Sequence, residues 1–203
     1  MFLDLVKQVQ AIAHAGLSYA ENSYDRERYE ALQDVARRMW AEVSDAPPAR
    51  IAALFDEPPG YPTPKVDVRA VVMRGGRVLM IRERADGRWA LPGGWADVGY
   101  TPRETAEKET WEEATVRVRA ERLLAVFDKR CHPHPPAPHY AYKLFVACVA
   151  LDDAAPRAGS ETLAADFFAP DALPPLSEER NTASQIATAL DLLADPNAPT
   201  VFD

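Results

Sequence analysis

Three glutamates, Glu109, Glu112 and Glu113, crowd together in the stretch AEKETWEEATV. On a helix, spacings of three and four put all three carboxylates on one face, where like charges repel by a few tenths of a kcal/mol per pair. A glutamate-rich helix face is most often simply solvated. The residues just upstream change that balance. Leu91-Pro92-Gly93-Gly94 offers two glycines, which let a backbone turn tightly and bring its polar groups close to a ligand. Oxygen-only donors on a rigid scaffold suit a hard cation, Mg²⁺ or Mn²⁺, of the kind shared with a phosphorylated substrate. Bound metal would also remove the repulsion among the glutamates.

The helix that must carry these carboxylates has a clear start. Thr101 is a good N-cap, Pro102 suits the first turn, and Glu104 completes a capping box; Glu104 is also spaced to pair with Lys108. Before it, residues 66–73 and 77–83 are β-rich runs joined by Gly75-Gly76, which predicts a hairpin. After it, residues 121–129 and 140–151 read as strands joined by the proline-rich loop CHPHPPAPH. Residues 166–168 read as a short strand, and Ser177 as the start of a last helix with Ile186, Leu190 and Leu193 on one stripe. The N-terminal region predicts helices over 2–20, 26–43 (capped by Asp25) and 49–55. EPPGYPTPK, residues 57–65, predicts a linker. The expected organisation is a helical domain over 1–56, the linker over 57–65, and an α/β (α+β) domain over 66–203, with a mixed sheet and helices on its faces.

The chain has 203 residues, 47% of them apolar and 27% charged, which suits a globular protein. Its net charge of −8 makes it a poor general binder of long nucleic acid or anionic membrane. Two cysteines, Cys131 and Cys148, imply no disulfide framework, and a reducing cytoplasm is the expected setting. The N-terminus lacks the basic region and uninterrupted apolar core of a signal peptide, and no stretch approaches the ~20 apolar residues of a membrane span.

From Gly94 the sequence reads Gly, five residues, Tyr100, seven residues, then Lys108-Glu109-Thr110-Trp111-Glu112-Glu113-Ala114-Thr115-Val116. This resembles the Nudix box, G-x5-E-x7-R-E-U-x-E-E-x-G-U, with U apolar. The first glycine, the three glutamates and the last apolar residue stand in register, and Leu91-Pro92-Gly93 also looks like that family. Tyr100, Lys108, Thr110 and Thr115 depart from it. A β-branched Thr115 in a left-handed helix end would cost about 1–2 kcal/mol, and Lys108 lacks the forked donors of arginine.

The resemblance implies a Nudix α/β/α sandwich and metal-dependent hydrolysis of a nucleoside diphosphate linked to another group. Glu109 and Glu113 are then the main metal ligands, with Glu112 as ligand or base. The resemblance adds the Gly93 carbonyl as a ligand and allows a loop carboxylate, Glu161, as base. Arg82 and Arg84 alternate near the end of a strand and are candidate phosphate partners; a solvated strand edge explains them as well. His132, His134 and Lys143 are candidate substrate contacts. Cys131, His132, His134 and His139 match no common structural zinc spacing.

The front of the chain, QAIAHAGLSYAENSYDRERYEAL, together with HPHPP and YKLF, resembles bacterial Nudix proteins with a helical N-terminal domain, a group that includes CDP-choline and ADP-ribose pyrophosphatases. Nucleoside triphosphates or RNA ends are alternative substrates, and a nucleotide-sensing module without turnover is an alternative of another class. The helical region is too small for a robust independent core. It predicts a homodimer in which residues 1–55 supply much of the interface and help shape the partner's cleft.

Overall fold

The computed structural model of the chain describes residues 2–55 and 60–203. These divide into two compact units, one ending at Pro64 and the other running from Lys65 to Asp203. The start of the expected linker, residues 57–59, lies outside the described residues.

The first unit holds three helices: α1, Phe2–Tyr19; α2, Ser23–Val43; and α3, Pro48–Ala53. Asn22, not Asp25, caps α2: its side-chain oxygen accepts from the Asp25 backbone N–H at 2.8 Å. The helix starts earlier than expected because Asp25 sits inside its first turn, where its charge favours the helix N-terminus. Val6, Ala36, Trp40, Ile51 and Phe55 form a small core. Trp40 donates its indole N–H to Gln10, whose own amide reaches the Leu54 carbonyl.

The second unit is built on eight strands: β1, Lys65–Arg74; β2, Arg77–Glu83; β3, Trp89–Ala90; β4, Gly93–Trp95; β5, Val118–Asp128; β6, Ala141–Ala150; β7, Thr162–Phe168; and β8, Val201–Phe202. The order β3-β2-β1-β6-β5-β8 mixes an antiparallel β1–β2 hairpin with a parallel β1–β6 pair; β4 pairs with β1 and β7 with β2. Two helices complete it, α4, Pro102–Ala114, and α5, Ala183–Ala194.

Alternation along the strands explains the layers. Val68, Ala70 and Val72 of β1 join Leu79, Ile81, Val146 and Cys148 in one core with Ala106 and Ala114 of α4. Val71, Val78, Met80, Phe145 and Ala147 face the other way, with Ile186 and Ala189 of α5. The result is a mixed sheet between two helices.

Several boundaries differ from the sequence reading. β7 begins four residues earlier than expected, at Thr162. The last helix begins at Ala183 rather than Ser177, because an extended Thr182 forms a capping box with Gln185. Residues 177–181 instead form a separate turn, in which Arg180 and Asn181 both donate backbone N–H groups to the Ser177 carbonyl. The two- and three-residue strands β3, β4 and β8 are too short to show a period of two in sequence.

Candidate active site

The start of α4 is built as its sequence requires. Thr101 accepts from the Glu104 backbone N–H, and the Glu104 carboxylate reaches back to the Thr101 N–H at 2.8 Å. That carboxylate also takes the Thr101 hydroxyl, so the expected Glu104–Lys108 pair does not form. The Lys108 ammonium turns instead to Glu112 at 2.9 Å, Glu109 at 3.2 Å and Asp97 at 3.7 Å. Its pKa is raised, first by the bond to Glu112 and further by Glu109 against an opposing burial effect. Lys108 thus offsets part of the repulsion that the three-glutamate face creates.

The three glutamates have different surroundings. Glu112 is half exposed, Glu109 largely covered and Glu113 buried. Glu113 accepts the Gly93 backbone N–H at 2.7 Å. Burial, reinforced by the like charges of Glu83 and Glu109, pushes its carboxyl up to about 8, although Arg69 and the Gly93 N–H oppose the shift. Burial raises Glu109 as well.

Gly93 is needed for this contact. Its φ is +145°, and a Cβ there would lie 1.9 Å from the Val68 carbonyl oxygen. The glycine lets β4 press onto β1 and point its N–H at Glu113. At its far end α4 stops at Thr115, with φ 55° and ψ 30°, the left-handed conformation that costs a β-branched residue about 1–2 kcal/mol.

A cavity of about 280 Å³ opens beside this helix. Six carboxylates line it: Glu83, Asp97, Glu109, Glu112, Glu113 and Glu161. Lys108 and Arg180 are its cations, and Gly93 and Gly94 its backbone wall. The candidate base Glu161 therefore lies in the same cavity as the α4 glutamates. A second cavity, of about 130 Å³, contains Arg69, Lys129, His139, Lys143 and Arg180 against Asp67 and Glu179; Trp95 and Arg180 belong to both cavities.

Asp67 organises the cationic side. Arg69 grips its carboxylate through two nitrogens, at 2.7 and 3.1 Å, and Lys143 binds one of the same oxygens. All three side chains are buried. Burial pushes the Asp67 carboxyl upward, but Arg69 and Lys143 outweigh it and hold the group below its ordinary value. Burial pushes the Lys143 ammonium down to about 8, against the attraction of Asp67. Arg69 also donates to the Leu91 carbonyl, which ties this network to the glycine loop.

The other candidates lie elsewhere. Arg82 and Arg84 are both exposed, Arg84 just past the end of β2, while the buried Glu83 between them lines the cavity. Arg82 donates to the Gly87 carbonyl and Arg84 to the Ser160 carbonyl, and neither lines the glutamate cavity. His132 pairs with Asp203 at 3.0 Å and packs edge-on against Phe127. His134 donates Nδ1–H to the Glu178 carbonyl. Neither histidine lines either cavity, whereas His139 lines the second. Glu83, Asp67, Arg69 and Arg180 were not singled out in sequence. Alternation with Leu79 and Ile81 could have flagged Glu83, a charge on the core face; Arg180 gave no such signal.

Among the described residues, no three His, Cys, Asp or Glu groups converge as a ready-made coordination cluster. The donor chemistry nevertheless fits a hard divalent ion. Every candidate donor is an oxygen, and Glu113 lies among five other carboxylates, buried with the like charges of Glu83 and Glu109 near it, a setting that a bound cation would relieve. Glu109, Glu112, Glu113 and the Gly93 carbonyl are the groups that would hold the ion.

Comparison with known proteins covers the whole chain. Residues 1–55 match the family described as a UDP-X-like N-terminal oligomerisation domain, and residues 63–190 match the NUDIX domain. The Bacillus subtilis protein YjhB, whose name proposes an ADP-ribose pyrophosphatase, is 43% identical over 100% of this chain and 97% of its own. The crystal structure of a UDP-X diphosphatase aligns over 100% of this chain and 98% of that one, at 33% identity and a TM-score of 0.65. That of a Streptococcus suis ADP-ribose pyrophosphatase covers 70% of this chain and 100% of its own, at 38% identity and a TM-score of 0.63.

Proposed function

The chain belongs to the Nudix hydrolase family, and from that premise we propose that it cleaves the diphosphate bond of a nucleoside diphosphate carrying a second group. ADP-ribose and UDP-linked compounds come first as substrates, because two relatives that align over the whole chain bear those names; CDP-choline belongs on the same panel. One observation carries this reading. An acid-lined cavity and a cation-rich cavity share Trp95 and Arg180, an arrangement that suits a metal ion on one side and phosphate oxygens on the other.

Nudix hydrolases generally use divalent metal ions. Mg²⁺ or Mn²⁺, held by Glu109, Glu112, Glu113 and the Gly93 carbonyl, would stabilise charge on the phosphate oxygens and lower the pKa of a bound water. The chain's own residues do the rest. Glu161, or Glu112 if it serves as base instead of ligand, accepts the proton of the attacking water. The Arg69–Asp67–Lys143 network fixes the cationic wall against which the second phosphate rests. Products are a nucleoside monophosphate and a phosphate ester. The test is incubation with Mg²⁺ or Mn²⁺ and a panel of nucleoside diphosphate derivatives, with the products identified after reaction in ¹⁸O-water. ADP-ribose should give AMP and ribose 5-phosphate. Release of free ribose, or no cleavage of any compound, would sink the reading.

The same proposal includes a homodimer formed through the helical unit. Its support is the match of residues 1–55 to an oligomerisation domain and the exposed apolar side chains Phe2, Leu5, Ile12, Tyr19 and Tyr24. Sedimentation at micromolar concentration is the check, and a monomer would defeat it.

A further inference from the structure

Arg180 sits on the turn between residues 175 and 182, and several contacts fix that turn. The Ser177 N–H donates to the Trp89 carbonyl at 2.8 Å, and the Trp89 N–H donates to the Pro175 carbonyl at 2.9 Å. Fully buried Asn181 accepts the Leu91 N–H at 2.9 Å through its side-chain oxygen. The Leu91 carbonyl is taken by Arg69, so both polar groups of that residue are held by buried side chains just before Gly93. On the other side, His134 donates to the Glu178 carbonyl. Burial pushes this imidazole down to about 4, so it is neutral and carries one N–H, which the carbonyl accepts. Turn and glycine loop are therefore in fixed register.

What this construction presents is one guanidinium. Arg180 lines both cavities and meets Glu83 with Nε to Oε1 at 3.1 Å and Nη2 to Oε2 at 3.5 Å. The second distance is at the limit of a hydrogen bond, and about a third of the side chain remains exposed, so the fork is only partly used. A tetrahedral phosphate, like a carboxylate, presents two oxygens that a guanidinium can grip together. Lys108, the other cation of the acid cavity, is already engaged by Glu112 and Glu109.

We propose that Arg180 is a substrate-binding residue of this enzyme: its guanidinium rests on Glu83 in the free protein and takes the diphosphate where the two cavities join. This rests on the nucleoside diphosphate reading above. Asn181 and His134 act through it as positioning residues, by holding the turn.

A mere counter-ion for Glu83 would look similar, so the test removes Glu83 first. KM and kcat for ADP-ribose with Mg²⁺ are measured in Glu83→Gln and in the double variant Glu83→Gln/Arg180→Ala, with Glu83→Gln/Arg180→Lys alongside. Removing both partners avoids stranding a buried charge. The proposal expects KM to rise at least tenfold from the first variant to the second with kcat changed less than threefold, and lysine to restore part of the loss. Equal KM values would overturn it. Calorimetric titration of ADP-ribose into the same variants gives the same ratio as Kd without turnover, so it decides the matter even where Glu83→Gln is inactive. If the parent protein cleaves no nucleoside diphosphate derivative, the functional reading fails. An unchanged Kd between the variants, with cleavage intact in the parent, rejects Arg180 alone.

Discussion

The two cavities meet at one tryptophan and one arginine, yet they are charged in opposite senses. In the acid cavity, burial drives the Glu113 carboxyl up to about 8; in the cationic cavity, burial drives the Lys143 ammonium down to about 8. An acid and a base arrive at the same value because each is removed from water without enough opposite charge nearby. The charge each cavity lacks is what the reaction would bring to it: a divalent cation on one side, phosphate oxygens on the other. The difference between the two also separates roles, because donors to a metal should govern turnover while phosphate partners should govern affinity.

Breaking the acid side should produce the largest effect. Glu113→Gln keeps the shape but removes a charge, and Glu109→Gln does the same beside it. Groups that only support a metal ligand cost about 10–100-fold when lost, so each of these changes should lower kcat by at least about 100-fold with the fold intact by circular dichroism. Near-normal turnover in Glu113→Gln would end the metal-ligand assignment. On the cationic side, Lys143→Met should leave kcat within a few-fold and raise KM about tenfold, roughly 1.4 kcal/mol of binding. A kcat loss as deep as that of Glu113→Gln would erase the proposed division of roles.

The pH dependence of stability sharpens the same contrast. Glu113 has its folded pKa raised from 4.5 to about 8, so between those values the folded state holds more protons than the unfolded one. Stability then falls as pH rises through that window. Lys143 has its folded pKa lowered from 10.5 to about 8, so above 8 the unfolded chain holds more protons and stability rises with pH. Metal-free protein should therefore show its lowest contribution from this pair near pH 8, read as melting temperature in the presence of a chelator. Glu113→Gln should flatten the slope below pH 8 and Lys143→Met the slope above it. Adding Mg²⁺ at pH 8 should raise the melting temperature of the parent, because an ion that binds the folded state stabilises it, and should do so less in Glu113→Gln. Slopes identical to the parent in both variants would show that these groups titrate normally.

The two sides also differed in how far the sequence revealed them. The acid side was legible because its parts are local: capping residues, glycine loop and glutamates occur within 93–116 at spacings that a helix converts directly into a face. The cationic side was assembled from β1, β6 and the turn before α5, and no local pattern announces residues that meet only through sheet register. Lys143 was nameable and Asp67 was not, because an aspartate beside an arginine two residues away on a strand is ordinary until β1 and β6 are paired in parallel, Asp67 opposite Lys143. Arg82 and Arg84 show the converse. Spacing alone does not say which parity faces the cavity: Leu79 and Ile81 enter the core, Glu83 of the same parity lines the acid cavity, and Arg84 lies beyond the end of β2. The mixed sheet with helices on its faces followed from strand-like and helical periods, whereas the start of α5 did not, because Ser177 and Thr182 are both good N-cap types and only the fold shows that Ser177 closes a separate turn.

The smallest effect is expected where α4 ends. Thr115 occupies a left-handed conformation at about 1–2 kcal/mol of strain. Glycine adopts that conformation without penalty but is freer in the unfolded chain, which returns about 0.4–1 kcal/mol. The Thr115 hydroxyl also donates to the Arg157 carbonyl at 3.3 Å, a long and exposed bond of small value. Thr115→Gly should therefore stabilise by about 0.5 kcal/mol, a rise of about 1–2 °C in melting temperature for a chain of this size. Turnover should not change. The strain lies two residues beyond Glu113, but Glu113 is held from the other side by the Gly93 N–H, so relaxing the helix end leaves the carboxylate in place. A variant that melted higher but lost turnover would show that the strained end does position Glu113, and that the acid cavity depends on Thr115 rather than merely tolerating it.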